Sequence, residues 1–174
     1  MNSRAGGHAG DENPQDLIHD LREFNVPLVC AGGIGDRKAY EIALALGYSG
    51  VQIGTRFIAS TECTAHADYK AAILSAEEDD IVLTKKITGV PVAVINTGYM
   101  KSRGVESGPL AKFVLSHPRT KHWARMFYSL RSVWQLKQSW GKGGDYKEFY
   151  QAGKSVSGIH SIQPVGEIIA DWTK

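Results

Sequence analysis

Residues 26–58, VPLVCAGGIGDRKAYEIALALGYSGVQIGTRFI, contain two short apolar runs that each end in glycine. The first run, residues 28–31, shows no alternation of polar and apolar residues, which is the pattern of a parallel strand buried on both faces. Apolar residues at helical spacing predict a helix between the two runs, capped by Asp36 and ended by Gly47. The second run, residues 50–54, predicts another strand. The order of strand, helix and strand predicts an α/β fold with parallel strands.

The two strand ends carry turns that suit a phosphate group. Gly32, Gly33 and Ile34 follow the first strand, and Gly54 and Thr55 follow the second. Glycine lets the backbone approach an anion closely, and the start of a helix adds partial positive charge. In a (β/α)₈ barrel, a phosphate site lies after the seventh and eighth strands. Each turn taken alone could simply join a strand to a helix, so the phosphate prediction depends on the pair.

Two nucleotide-binding motifs are excluded by single positions. The third glycine of a dinucleotide fingerprint would fall at Lys38. Residues 152–155, AGKS, resemble the end of a P-loop, but the required earlier glycine would fall at Glu148 and no buried strand comes before it. We therefore interpret Lys154 as a solvated charge.

The composition is that of an ordinary globular protein. The chain has 174 residues, of which 43% are hydrophobic and 22% are charged. No run approaches the roughly 18 apolar residues of a membrane span, and residues 1–10 lack the apolar region of a secretory signal. We therefore expect a cytoplasmic protein with no membrane partner. Cys30 lies in the first predicted strand and is expected to act as a small buried hydrophobic residue. The cysteines and histidines show no metal-ligand spacing, so no metal site is expected.

The rest of the chain predicts further helices and one β-rich stretch. Asn13 and Pro14 form a helix start, and the helix is predicted to run to Phe24 with its apolar residues on one face. Other helices are predicted at residues 61–76, 110–138, 146–157 and 165–172, with a β-rich stretch at 81–95 and a loop at 96–109.

Residues 101–142 carry nine Lys or Arg residues against one acidic residue, Glu106. This segment could bind nucleic acid, with Trp123, Phe127 and Trp134 stacking on bases. The spacing of these aromatic residues instead favours a helix face buried in a core or an oligomer interface. Because no nucleic-acid fold signature accompanies the charge, we expect no nucleic-acid partner.

Several segments together resemble the nitronate monooxygenase family, formerly called 2-nitropropane dioxygenases. Residues 6–10, GGHAG, are similar to the family's AGGHxG motif after barrel strand six. Residues 27–34 are similar to PVxAAGGI at strand seven, and residues 50–57, GVQIGTRF, to the motif at strand eight. Residues 87–96 and 150–159 also resemble family segments, the second of them AGxSVxGI. The resemblance covers nearly the whole chain.

The resemblance implies a partial (β/α)₈ TIM barrel, made of the last strands plus a C-terminal helical extension. Residues 1–78 would form the last βα units, with the FMN-phosphate end, and residues 79–174 a β-rich and helical segment that packs on the barrel. The family's first five strands and most of the sixth have no counterpart in this sequence. The chain therefore resembles the C-terminal half of the enzyme, and a natural short product, a split gene and a truncated protein all stay open.

The resemblance also implies FMN as the cofactor, and FMN-dependent oxidation of alkyl nitronates with O₂. The residues implied to bind the cofactor are Gly7, Gly32, Gly33, Ile34, Gly54 and Thr55. His8 would be catalytic, abstracting the α-proton of a neutral nitroalkane or donating a hydrogen bond to a nitronate. Without the resemblance, a lone histidine in a glycine-rich loop is more often solvent-exposed than catalytic.

Two other functions stay open. A flavin-dependent enoyl-thioester (enoyl-ACP) reductase shares the glycine motifs and the histidine, although the segments NTGYM and AGKSVSGI look more like the monooxygenases. A non-catalytic fragment could instead assemble with another chain through an open strand edge and an aromatic helix face. We expect an oligomer or association with the missing N-terminal half.

Overall fold

The computed structural model describes residues 2–7, 10–84, 91–103 and 150–174, and it shows an α/β fold. Helices and strands follow one another as α1 (Pro14–Leu21), β1 (Val29–Ala31), α2 (Arg37–Ala45), β2 (Gly50–Gln52), α3 (Thr55–Ile58), α4 (Ala67–Ser75), β3 (Ile81–Thr84), β4 (Val92–Ile95), α5 (Gly98–Arg103) and α6 (Val165–Trp172). Short 3₁₀ turns span Arg22–Phe24, Glu78–Asp80 and Lys154–Gly158.

Strands β1 and β2 are parallel, as the sequence predicts, and pair from Val29 with Gly50 to Ala31 with Gln52. The crossover helix α2 begins at its predicted cap, because the Asp36 carboxylate accepts a hydrogen bond of 2.7 Å from the Ala39 N–H. Asn13 caps α1 in the same way, by accepting from the Asp16 N–H at 3.0 Å. The caps and the parallel pairing bring the ends of β1 and β2 to one edge of the sheet.

The β-rich prediction for residues 81–95 is confirmed in its described part. β3 and β4 form an antiparallel pair, and all of β4 is buried. β4 also forms isolated bridges to Gly7 through Ala93 and to Gln151 through Val94. The Ala93 N–H donates to the Gly7 carbonyl at 2.7 Å, so β4 connects two distant parts of the chain.

C-terminal residues complete both of the larger hydrophobic cores. The first core contains the buried residues Ile18, Cys30, Ile34, Ala43, Tyr48, Ile168 and Trp172. The second contains Ala59, Ile73, Ala76, Ile95, Ala152, Val156 and Ile159. Each buried aliphatic side chain contributes about 1.5–3 kcal/mol of stability, so the residues after 150 are integral to the fold.

Two predicted boundaries in the middle of the chain are wrong. The helix predicted at residues 61–76 begins only at Ala67, where the His66 ring accepts from the Asp68 N–H at 3.2 Å and caps α4. The loop predicted at residues 96–109 contains α5, and the Met100 N–H donates to the Thr97 hydroxyl at its first turn. Local side-chain caps of this kind set both helix starts.

The helix predicted at residues 146–157 is wrong where the structure describes it. Gly153 is extended, with φ −97° and ψ 177°, and only a 3₁₀ turn follows, Lys154–Gly158. The reason is tertiary, because the Gly153 backbone lies against Gly6, too close for a side chain on either residue. The first part of this prediction, residues 146–149, lies outside the described residues.

The apolar face predicted for the first helix is buried only at Ile18 within α1. Leu21 is 37% exposed and Phe24 is 61% exposed. The helix predicted at residues 110–138, with its aromatic residues, lies outside the described residues, as does the basic segment beyond residue 103. None of the described helices is long and apolar enough to cross a lipid bilayer.

Candidate functional site

A cleft of about 270 Å³ lies where β1 and β2 end. The cleft is lined by Ala5, Gly6, Gly7, Ala31, Gly32, Gly33, Ile34, Gln52, Gly54, Thr55, Ile58, Tyr69, Gln151 and Ser155. All six residues predicted to bind the cofactor are among them. The predicted catalytic residue, His8, lies outside the described residues, although its chain neighbour Gly7 lines the cleft.

The glycines after β1 are required by the protein itself. Gly32 and Gly33 have φ of +113° and +84°, a region that favours glycine. A Cβ on Gly32 would lie 2.7 Å from Ala5, and a Cβ on Gly33 would lie 2.9 Å from the side chain of Arg4. Residues 4 and 5 therefore pack directly against this turn.

The glycine after β2 is different, because no atom lies within 4 Å of the place a Cβ on Gly54 would occupy. Its φ is −120°, outside the left-handed region. Nothing in the described protein therefore demands glycine at position 54. The absence of a side chain there leaves space in the cleft, as a ligand that approaches the backbone would require.

Three residues that line this space have backbone N–H groups without an acceptor among the described residues. In the described part of the chain, the N–H groups of Gly33, Ile34 and Gly54 donate to no protein acceptor. Backbone N–H groups are strong donors that need a partner, either water or a ligand. None of the described residues that line the cleft carries a charge. The cleft therefore suits an anion held by N–H and hydroxyl dipoles, with no carboxylate to repel it.

Two buried hydroxyl groups add to these donors. Thr55 is 8% exposed, and its hydroxyl oxygen accepts from the Gly153 N–H at 3.2 Å, which leaves the hydroxyl proton available to donate. Ser155 is 6% exposed and lines the same cleft, and among the described residues its hydroxyl has no hydrogen-bond partner. The sequence reasoning missed Ser155. The available signal was the family-like segment 150–159, which contains it.

Residues 152–155, AGKS, do not form a P-loop in the structure. Lys154 is half-buried and does not line the cleft, and its N–H donates to the Arg4 carbonyl at 3.0 Å. A P-loop wraps a phosphate with successive backbone N–H groups. Here Gly153 instead packs on Gly6. The glycine of the AGKS segment therefore allows two backbone segments to cross closely.

Tyr69 forms one wall of the cleft. Its ring stacks on that of Tyr150 with a centroid distance of 4.8 Å and an interplanar angle of 12°. Its hydroxyl donates to the carbonyl of Gln151, another residue of the cleft. Burial, with a smaller effect of Cys63, raises the pKa of Tyr69 to about 12. The hydroxyl therefore stays neutral at physiological pH and acts as a donor.

Cys30 is 2% exposed, which confirms its predicted place in the core. Burial raises the pKa of its thiol, which therefore stays protonated. Across the described ranges, no three residues among His, Cys, Asp and Glu are grouped in a way that could hold a metal ion.

The family model described as "Nitronate monooxygenase" matches residues 2–174. The chain belongs to this family. This result confirms the family resemblance drawn from the glycine and histidine motifs, and the match includes every segment that forms the cleft.

Comparison with three similar proteins shows how much of each relative this chain matches. A "Probable nitronate monooxygenase" from Staphylococcus saprophyticus is 36% identical over 110 residues, which are 56% of this chain and 31% of that protein. A "(3aS,4S,5R,7aS)-5-hydroxy-7a-methyl-1-oxo-octahydro-1H-indene-4-carboxyl-CoA dehydrogenase" from Rhodococcus jostii is 34% identical over 98 residues, 56% of this chain and 28% of that protein. The solved structure of FabK from Thermotoga maritima is 29% identical with a TM-score of 0.73, and the match covers 99% of this chain and 51% of that one. This chain therefore spans about half the length of FabK, and its matches cover about a third of the two curated relatives.

Proposed function

We propose that the cleft binds the phosphate group of FMN. The single observation that supports this most is the open space at Gly54, which is bordered by unpartnered N–H groups and by the Thr55 and Ser155 hydroxyls. The residues present fit the phosphate, because they offer donors and no negative charge. With a volume of about 270 Å³, the cleft lies just below the usual range for ligand pockets, about 300–1,000 Å³. It therefore suits the phosphate end, with the flavin ring extending beyond it.

We further propose that β1 and β2 are the last two strands of a (β/α)₈ barrel. Parallel sheets are almost always covered on both faces, and a pair of three-residue strands is marginal alone. Yet Val29 is 58% exposed, and in the described part of the chain β2 pairs only with β1. The match covers only 51% of the FabK chain, so that protein has about as many residues again from which the strands that complete such a sheet can come. On this proposal, residues 1–78 are the barrel part, residues 79–174 pack on it, and the chain associates with the rest of the barrel or forms an oligomer.

In the completed barrel, we propose that the enzyme oxidises alkyl nitronates with O₂. FMN, when bound, supplies the electron transfer between substrate and oxygen. The protein's own residues bind and orient the cofactor. The donors at the strand ends hold its phosphate, and Tyr69 and Gln151 line the cleft. His8 is proposed to remove the α-proton of a neutral nitroalkane, or to donate a hydrogen bond to an ionised nitronate, because histidine titrates near neutral pH.

The phosphate site is tested by comparing FMN with riboflavin, which lacks the phosphate. We expect the chain alone to bind FMN weakly and riboflavin at least about tenfold more weakly, the effect of one good charged hydrogen bond. Flavin fluorescence measures both affinities. Millimolar inorganic phosphate should compete with FMN and shift the backbone amide resonances of Gly33 and Gly54. Equal affinity for the two flavins, or phosphate-induced shifts confined to other residues, would disprove the site.

The role of His8 is tested in the complete enzyme, with the missing barrel strands supplied. His8→Asn should lower turnover of a neutral nitroalkane by about 10²–10⁴-fold, the usual contribution of a general base. Turnover of the pre-formed nitronate should fall much less, because no proton has to be removed. Oxygen uptake measures both rates. Normal turnover of the neutral nitroalkane by His8→Asn would show that His8 is not the base.

A second candidate is a flavin-dependent oxidoreductase that acts on acyl thioesters, as in an enoyl-thioester reductase. The observation that favours it is the relative from Rhodococcus jostii, whose name describes a carboxyl-CoA dehydrogenase. Anaerobic oxidation of NADPH in the presence of a crotonyl thioester, with no oxygen uptake on nitronate, would favour this candidate over nitronate oxidation. A chain that binds no flavin and restores no activity to its partner half would favour a non-catalytic assembly role.

A further inference from the structure

The carboxylate of Glu78 contacts two parts of the chain whose neighbouring residues, Ala5 and Ser155, line the cleft. Glu78 begins the 3₁₀ turn Glu78–Asp80, directly before β3. Its Oε1 atom accepts from the Arg4 guanidinium and lies 3.3 Å from the Ser157 hydroxyl, whose one proton is shared with the Lys154 carbonyl at 3.2 Å. One oxygen atom therefore connects residue 4 with residue 157.

Each of these partners supports a donor of the proposed phosphate site. The Arg4 side chain packs on Gly33, because a Cβ on Gly33 would lie 2.9 Å from the Arg4 Nε atom. Ser157 belongs to the same 3₁₀ turn as Ser155 and lies two residues after it. The positions of the Gly33 N–H and the Ser155 hydroxyl are thus both connected to Glu78 through one intermediate residue.

The space behind these donors is open and not packed. A second cleft of about 290 Å³ is lined by Arg4, Gly33, Glu78, Ser155 and Ser157, among others. Well-packed interiors hold a backbone in place by contact on all sides. The backbone of Gly35 already lies against the Ser155 carbonyl. On the side of the second cleft, the hydrogen bonds of Glu78 add a link between Arg4 and Ser157.

We propose that Glu78 is a positioning residue that fixes the distance between the Gly33 and Ser155 donors, a role that rests on the proposed phosphate site. Exposed ion pairs usually contribute little to stability, and the Arg4 and Glu78 side chains are 38% and 35% exposed. The role proposed here is geometric: Glu78 sets where two donors lie and contributes little to overall stability.

The first test needs no ligand. In Glu78→Gln, the backbone amide resonances of both Gly33 and Ser155 should shift. Arg4→Met, which keeps the aliphatic stem over Gly33, should shift Gly33 alone, and Ser157→Ala should shift Ser155 more than Gly33. Asp79→Asn is the matched control. Asp79 is exposed in the same turn, and its carboxylate forms no hydrogen bond with another described residue. If Glu78→Gln leaves the Gly33 resonance where Asp79→Asn leaves it, the positioning role is wrong.

The second test uses FMN and riboflavin as probes. Glu78→Gln should weaken FMN binding by about tenfold, the loss expected when a charged hydrogen bond no longer holds a donor in place. Riboflavin binding should stay within about twofold, because riboflavin has no phosphate for these donors to bind. Equal losses for both flavins would indicate general destabilisation and would overturn the proposal. If the parent chain prefers neither flavin, the phosphate site itself fails, and the amide shifts alone then decide the role of Glu78.

Discussion

The two glycine turns at the ends of β1 and β2 look alike in the sequence but differ in what surrounds them. After β1, a Cβ on Gly32, Gly33 or Gly35 would collide with other parts of the protein. After β2, a Cβ on Gly54 would meet nothing within 4 Å. The first turn carries glycine because the chain folds back on it, whereas none of the described residues around the second turn requires glycine there.

This difference separates stability from binding at one site. The turn after β1 lies under residues 4 and 5 and next to Ser155, so a change there should affect folding before it affects a ligand. Gly54 borders open space, so a change there should affect a ligand and leave folding intact. Substitutions at the two turns should therefore have opposite effects on folding and on binding.

Gly35→Ala should be the most disruptive single substitution. The added Cβ would lie 2.0 Å from the Ser155 carbonyl oxygen, which is backbone and cannot rotate away. We expect a loss of about 3 kcal/mol or more in the free energy of unfolding, at the upper end of overpacking effects. Urea denaturation measures this loss. Gly50→Ala is the control, since a Cβ there meets nothing within 4 Å and the residue does not line the cleft. Equal stability of the two variants would show that the close crossing is not present in solution.

Gly54→Ala should separate binding from folding. We expect FMN affinity to fall by about tenfold or more, because the methyl group displaces the phosphate from the backbone donors. The free energy of unfolding should change by less than about 1 kcal/mol. Flavin fluorescence and urea denaturation of the same sample give both values. Gly50→Ala again serves as the control and should change neither. A large loss of stability in Gly54→Ala would show that this turn is as constrained as the one after β1.

Tyr69→Phe should give the smallest effect, and one that depends on pH. Burial raises the pKa of Tyr69 to about 12 in the folded protein, against about 10 for an unfolded tyrosine. The folded state therefore favours the neutral phenol. The resulting stability is fully present below the unfolded pKa, about pH 10, and is lost as the pH rises toward the folded value.

The free energy of unfolding should accordingly fall more steeply from pH 9 to pH 11 in the parent than in Tyr69→Phe. At pH 8 the free energy of unfolding of the variant should be lower by about 1 kcal/mol, because the variant lacks the hydrogen bond to the Gln151 carbonyl. Denaturation curves at matched pH provide the comparison. Parallel pH profiles for the two proteins would indicate that Tyr69 ionises as freely in the folded state as in the unfolded one.

Much of the fold around β1 and β2 was predictable from local patterns. The parallel pair, the Asp36 and Asn13 caps and the burial of Cys30 all follow from apolar runs and capping residues, which act over a few neighbouring positions. Two helix boundaries were wrong because the local caps at His66 and Thr97 were not recognised. The helix predicted at residues 146–157 was wrong because a distant contact decides there. Gly153 is extended and its backbone lies against Gly6, and no feature of the local sequence indicates a partner more than a hundred residues away.

The sequence alone predicted the fold class, the family and six of the residues that line the cleft where the two strands end. Those features depend on local periodicity and on motifs, which a single chain displays directly. Folding of the whole chain was needed to show that Ser155 joins the cleft, that Glu78 connects Arg4 to Ser157, and that Gly54 borders open space whereas Gly32, Gly33 and Gly35 do not. The physical reason is that these three facts depend on which backbones approach one another, and packing settles that only when the whole chain is folded.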